Sequence, residues 1–104
     1  MAQEDFRTLV TRDCERMGFK FELLDVQVDY IDENQNGTFN CCISALVKLY
    51  NRDAGNEHQD IGCGIVNNIA DRVTALISAR RKAIDDGVKR VMRQYFPEDP
   101  KKKK

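Results

Sequence analysis

The chain has 104 residues, 33% of them charged and 41% apolar, with 17 Lys+Arg balancing 17 Asp+Glu. That is the length of one domain and the composition of an ordinary soluble globular fold, which excludes a disordered charged tail as its main character. Apolar runs of only a few residues exclude a helix of the roughly 20 needed to span a bilayer, and the acidic start MAQEDF is unlike a signal peptide, so the sequence predicts an intracellular protein.

The first element is a helix from Gln3 to Met17, because Phe6, Leu9, Val10, Cys14 and Met17 recur at helical spacing, Glu4 and Asp5 suit its N-terminus, and Gly18 closes it. From Phe19 to Ile31 apolar and polar residues alternate and change phase at Leu24, which predicts a strand with a bulge there. The turn DENQNG, residues 32–37, ends in an Asn-Gly pair typical of tight hairpins. A second strand follows, Thr38 to Tyr50, with Phe39, Cys41, Ile43, Ala45, Val47 and Leu49 on a core face and Asn40, Ser44 and Lys48 on a partly wet one.

After a turn over Asn51 to Gly55, a shorter third strand is predicted from Glu57 to Val66, where Gly62 and Gly64 signal a bend or a close backbone approach. Asn67 and Asn68 are candidate caps for a long final helix. Its predicted stripe is Ile69, Val73, Leu76, Ile77, Ala83, Ile84, Val88, Val91, Met92 and Tyr95, with Pro97 as the stop. Gly87 in its middle marks a kink or a close contact. The expected fold class is α+β: helix, three-stranded antiparallel sheet, then a long basic helix packed on the sheet. A single domain over residues 1–97 would be followed by a disordered basic tail, residues 98–104.

Little points to catalysis, and the reading is that of a non-enzyme without cofactor or metal. Cys41 and Cys42 are adjacent, Cys14 falls in a helix, Cys63 follows a glycine, and no CxxC pair occurs, so the four cysteines read as small buried hydrophobes in a reducing compartment. The lone histidine, His58, beside Glu57 and Asp60, reads as structural or surface-exposed. Gly62-Cys63-Gly64 lacks the third glycine and the strand-to-helix context of a dinucleotide fingerprint.

Charge is the stronger signal. Residues 1–77 hold 7 basic against 13 acidic side chains, and residues 78–104 hold 10 against 4. Such polarity suits a basic face meeting a polyanion, or an acidic part meeting the basic part of a neighbouring copy. On the final helix, Lys89, Arg90 and Arg93 fall within one turn and Arg80, Arg81 and Lys82 lie about two turns earlier. Cations spaced along a helix meet successive phosphates, and guanidinium planes stack on unpaired bases. The same residues also suit a solvated face, because Asp85 to Lys89 and Asp86 to Arg90 have the spacing and order of helix-surface ion pairs.

Three blocks, VDYIDENQNGTFNCCISALVKLY, HQDIGCG and ARRKAIDDGVKRVMRQYF, in that order, resemble the hairpin, third strand and basic helix of the Rad fifty-two single-strand annealing family. HQDIGCG is similar to that family's H-E-D-x-G-x-G, and DGVKRVMR to its D-G-x-K-R-A-L-R. The resemblance, over about Phe19 to Phe96, implies a basic groove that holds the backbone of single-stranded DNA or RNA with bases turned outward for pairing. Lys89, Arg90 and Arg93 would line it, with Arg7 matching a further family arginine. It also implies a homo-oligomer, a ring or something smaller, acting in recombination or repair. The C-terminal KKKK reads as a nuclear address, a nonspecific phosphate contact or a solubilising tail, and the expected place is the nucleus, with the cytoplasm as the alternative. At the positions of a second family DNA surface this chain has Thr38 and Ala70 where lysines are usual. Two other readings stay open: the helix-strand-strand-strand-helix order with a basic final helix is also that of double-stranded-RNA-binding domains, and the missing lysines favour an adaptor of the same fold that oligomerises or recruits a protein partner.

Overall fold

The computed structural model describes residues 6–96, and the predicted start at Gln3, the stop at Pro97 and the basic tail lie outside them. Within them run α1 (Phe6–Arg16), β1 (Phe19–Glu33), β2 (Phe39–Asn51), β3 (Asn56–Ile69) and α2 (Arg72–Tyr95). The strands form an antiparallel meander in the order β1-β2-β3. One face is covered by α2, which lies on β3 and β2, while α1 packs against β1. This is the α+β arrangement expected from the sequence.

Local chemistry explains the boundaries. Gly18, with φ +85°, occupies the left-handed position that ends α1 and lets the chain reverse into β1. Alternation on β2 buries Cys41, Ile43, Ala45, Val47 and Leu49 beneath α2. The register between β1 and β2 shifts at Leu24, as the phase change predicted, and again between Val28 and Tyr30, where the extra residue is Asp29. At the hairpin, the Asn34 N–H donates to the Thr38 carbonyl at 2.7 Å, and Gly37 carries the positive φ, so the turn is wider than a two-residue one.

Four expectations are corrected. The third strand is not the short one: its 14 residues exceed the 13 of β2, and it runs on through Asn67 and Asn68 to Ile69, which belongs to β3 and not to the helix. Asn68 sits in a left-handed conformation, φ +58°, held by its side chain and N–H in an amide cluster with Asn34, Thr38 and Asn40. The helix cap is Asp71, whose carboxylate accepts from the Thr74 N–H and Oγ1, both at 2.9 Å. On the helix, Val73 and Ile77 are exposed, and the residues pressed on the sheet are Ala75, Ala79, Ala83, Ile84, Gly87 and Val91. Finally, Cys14, Cys41 and Cys42 are buried as read, but Cys63 is exposed.

The alanines and glycines make the helix-sheet seam unusually close. A Cβ built on Gly62 would stand 2.1 Å from the Ala83 carbonyl oxygen and from the Gly87 nitrogen, and one on Gly64 would stand 2.0 Å from the Ala79 oxygen. Gly87 answers from the helix side, where a Cβ would come within 2.7 Å of Val47 Cγ2. Of the two meanings of Gly87 read in the sequence, close contact is the one realised.

Candidate nucleic-acid interface

The seam fixes where the basic side chains of α2 point. Residues 82, 86, 90 and 93 follow one another by four, four and three, so Lys82, Asp86, Arg90 and Arg93 share one helix face. That face lies beside β3. Lys82 Nζ reaches the Ile65 carbonyl at 3.5 Å, Asp86 Oδ2 accepts the Cys63 N–H at 3.0 Å, and Gln94 Nε2 donates to the Gln59 carbonyl at 3.1 Å. From Lys82 to Arg93 the helix rises roughly 16 Å.

Asp86 organises this row. It accepts Arg90 Nε at 2.8 Å while holding the Cys63 N–H, and these contacts lower its pKa below the ordinary carboxylate value, the Arg90 hydrogen bond acting most strongly. Arg90 is raised in turn, by the Asp86 hydrogen bond first. Lys89, on the outer crest, pairs with Asp85 at 3.0 Å. Both helix-surface ion pairs read as an alternative in the sequence therefore form. Arg93 has no ion pair within 4 Å among the described residues, and neither do Arg80, Arg81 and Lys82.

The other candidates separate from this row. Arg81 turns to the opposite flank of α2 and covers the Phe6 ring of α1 at 5.6 Å, and Arg80 is half-buried. Arg7 is exposed on α1 itself, beyond that same flank. The structure thus gathers Lys82, Arg90 and Arg93, with Lys89 alongside, and places Arg7 and Arg81 elsewhere. Local sequence reading missed the link from Asp86 to the Cys63 N–H and the part of Gln94, because both are contacts between segments more than 20 residues apart. His58 is half-buried edge-on against the Tyr95 ring, centroids 4.7 Å apart, a structural contact at the far end of the strand.

The two glycine motifs now have a physical meaning. Gly62 and Gly64 admit the helix, Gly87 receives the sheet, and Asp86 ties the helix to the strand beside them. Compared with known families, residues 8–97 match the model described as Rad52/22 family double-strand break repair protein. The chain belongs to the Rad52/22 family. Curated Rad52/22 relatives include the DNA repair and recombination protein rti1 of Schizosaccharomyces pombe, 30% identical over 78 residues. Mus-11 of Neurospora crassa is 33% identical over 79 residues, and RAD52 of Saccharomyces cerevisiae 32% over 78. Each alignment covers 75% of this chain but only 21%, 13% and 16% of those relatives, so the chain spans about a fifth of their length or less. No helix among the described residues is long and apolar enough to cross a membrane.

Proposed function

We propose that this Rad52/22 domain binds single-stranded nucleic acid, DNA in the first place, along the α2 face beside β3, and that it promotes annealing in recombinational repair in the nucleus. The observation that carries the reading is the row Lys82, Arg90 and Arg93 with Lys89 beside it, set on one helix face that the glycine seam holds against β3. Phosphates of an extended strand meet these cations while the bases stay free to pair, and no covalent step is involved. Family membership supports the same reading, since the relatives are named as DNA repair and recombination proteins.

The Asp85–Lys89 pair favours the adaptor reading, because it occupies a cation that a phosphate would need. An exposed helix pair of this spacing contributes only about 0.3–0.5 kcal/mol, so a phosphate competes with the Asp85 carboxylate for Lys89 at little cost. Assembly into a homo-oligomer belongs to the same proposal, and exposed Val28, Val73, Ile77, Ile61 and Ile65 supply apolar surface for it.

The test is fluorescence anisotropy of labelled single-stranded DNA, single-stranded RNA and duplexes over a salt series, with wild type beside a Lys89→Ala, Arg90→Ala, Arg93→Ala triple variant. Each phosphate contact contributes about 0.7 to the slope of log affinity against log salt for single strands, so the variant loses about 2 from that slope. Preference for duplex RNA would support the double-stranded-RNA reading. Wild type without single-strand binding at low salt would overturn the proposal in favour of a protein partner.

A further inference from the structure

The face of the sheet turned away from α2 carries a cluster that the basic row does not use. Cys42 of β2 and Cys63 of β3 bring their sulfurs to 3.5 Å. Their strands pair Cys42 with Ile65 and Ser44 with Cys63, so the thiols meet along the diagonal between neighbouring rungs. The second bulge of β1 delivers Asp29 to the same place, where its Oδ2 accepts from Cys42 Sγ at 3.5 Å and from Ser44 Oγ at 2.5 Å. The two thiols differ in access: Cys42 is 7% exposed, and Cys63 lies open to solvent.

We propose that Cys42 and Cys63 form a dithiol modification site, which closes to an intramolecular disulfide by exchange with a low-molecular-weight disulfide. In the first exchange the Cys63 thiolate attacks one sulfur of the reagent. A bond from Cys63 to the reagent forms, the reagent's S–S bond breaks, and the released thiolate takes up the proton that Cys63 shed. In the second, Cys42 attacks the Cys63 sulfur and gives up its proton, which the leaving reagent thiolate takes. The Cys42–Cys63 bond forms, the mixed disulfide breaks, and the second reagent thiol leaves protonated. Two protein thiols are oxidised and one disulfide is reduced to two thiols.

The order of attack follows from access. Burial, then hydrogen bonds with Cys63 and Asp29, push the Cys42 thiol up to about 12. It is inert toward reagents in solution and reacts only when Cys63 holds a leaving group next to it. Closure to the ordinary S–S length of about 2.05 Å needs the sulfurs to approach by about 1.5 Å, by rotation of the exposed Cys63 side chain together with a small approach of the two strands across the diagonal. Cys14 and Cys41 lie buried in the core on the other side of the sheet and do not compete. The site also has a structural reach: the N–H of Cys63 is the donor that holds Asp86, and through it Arg90, so the bridge would form at the residue that anchors the basic row.

The experiment incubates the reduced full chain with glutathione disulfide under native conditions, blocks free thiols with iodoacetamide, and reads intact mass and peptide maps. Cys42→Ser and Cys63→Ser variants, checked for folding by circular dichroism, run in parallel. The expected wild-type product has lost two hydrogen atoms and yields a peptide joining Cys42 to Cys63. Cys42→Ser stops at a glutathione adduct on Cys63, and Cys63→Ser gives no adduct. A lasting glutathione adduct in wild type, a disulfide between two molecules, or no reaction overturns the proposal. Should Cys42→Ser not fold, the wild-type map and the exposed-site variant decide the matter. Mass reports on the bridge whether or not the chain binds nucleic acid.

Discussion

Replacing Gly64 with alanine tests the claim that glycine is there to admit a helix. The new Cβ would stand 2.0 Å from the Ala79 oxygen and 2.5 Å from the Ala83 nitrogen, both backbone atoms that cannot rotate aside. Restoring an ordinary contact of about 3.4 Å drives α2 away from β3 by about 1.4 Å. A gap of that size forfeits at least half of the dispersion energy of the atoms lining it, and overpacking of this kind costs about 1–3 kcal/mol or more. We expect a loss of about 3 kcal/mol or more, a large share of the roughly 5–15 kcal/mol that holds a domain together. Gly37 is the control. It has φ +82° but nothing within 4 Å of its would-be Cβ, so Gly37→Ala bears only the backbone penalty, about 1–2 kcal/mol. Urea titration followed by circular dichroism measures both, and thermal melting should show Gly64→Ala lowered by about 12 °C or more, at roughly 4 °C per kcal/mol. If Gly64→Ala is no worse than Gly37→Ala, the seam does not rest on backbone proximity and the argument fails.

Asp85→Asn releases Lys89 from its 3.0 Å pair and should tighten single-strand binding about two-fold, the equivalent of one exposed helix pair, by anisotropy at low salt. Tyr95→Phe removes a hydroxyl that donates toward the Leu49 and Asn56 carbonyls at 2.8 and 3.0 Å; a loss of about 1–2 kcal/mol is expected by urea titration. Burial raises the thiols of Cys14 and Cys42 from 9.0 to about 11 and about 12. Above pH 9 the unfolded chain sheds protons that the native one retains, so these groups stabilise fully below that pH and lose their contribution as it rises toward 12. Stability measured across that range should decline less steeply in Cys42→Ser than in wild type.

Periodicity made α1, the first bulge and the core face of β2 readable, because each is decided by residues within a few positions of one another. The second bulge was not, since Asp29 joins the open face only through partners on β2. Asn67 and Asn68 looked like caps because polar amides favour helix starts, yet Asn68 is held by Asn34 and Asn40, about 30 positions away. The apolar stripe of α2 misled for a related reason. Where two glycines let backbones touch, the buried partners are alanines, and larger side chains such as Val73 and Ile77 stay outside. Gly62 and Gly64, two apart, carried the signal for small partners on the helix. For the site, Lys89, Arg90 and Arg93 were legible as a charge cluster, while the separation of Arg7 and Arg81 from it depended on where α1 docks.

A helix laid backbone to backbone on a strand has little room to rock, and its charges stand at intervals set by the peptide rise. The backbone that carries that row is ordered during folding. Under the proposed function, a docking strand would find the spacing of the charges already set, and the ordering left to be done would fall on the strand and on the long side chains that reach it.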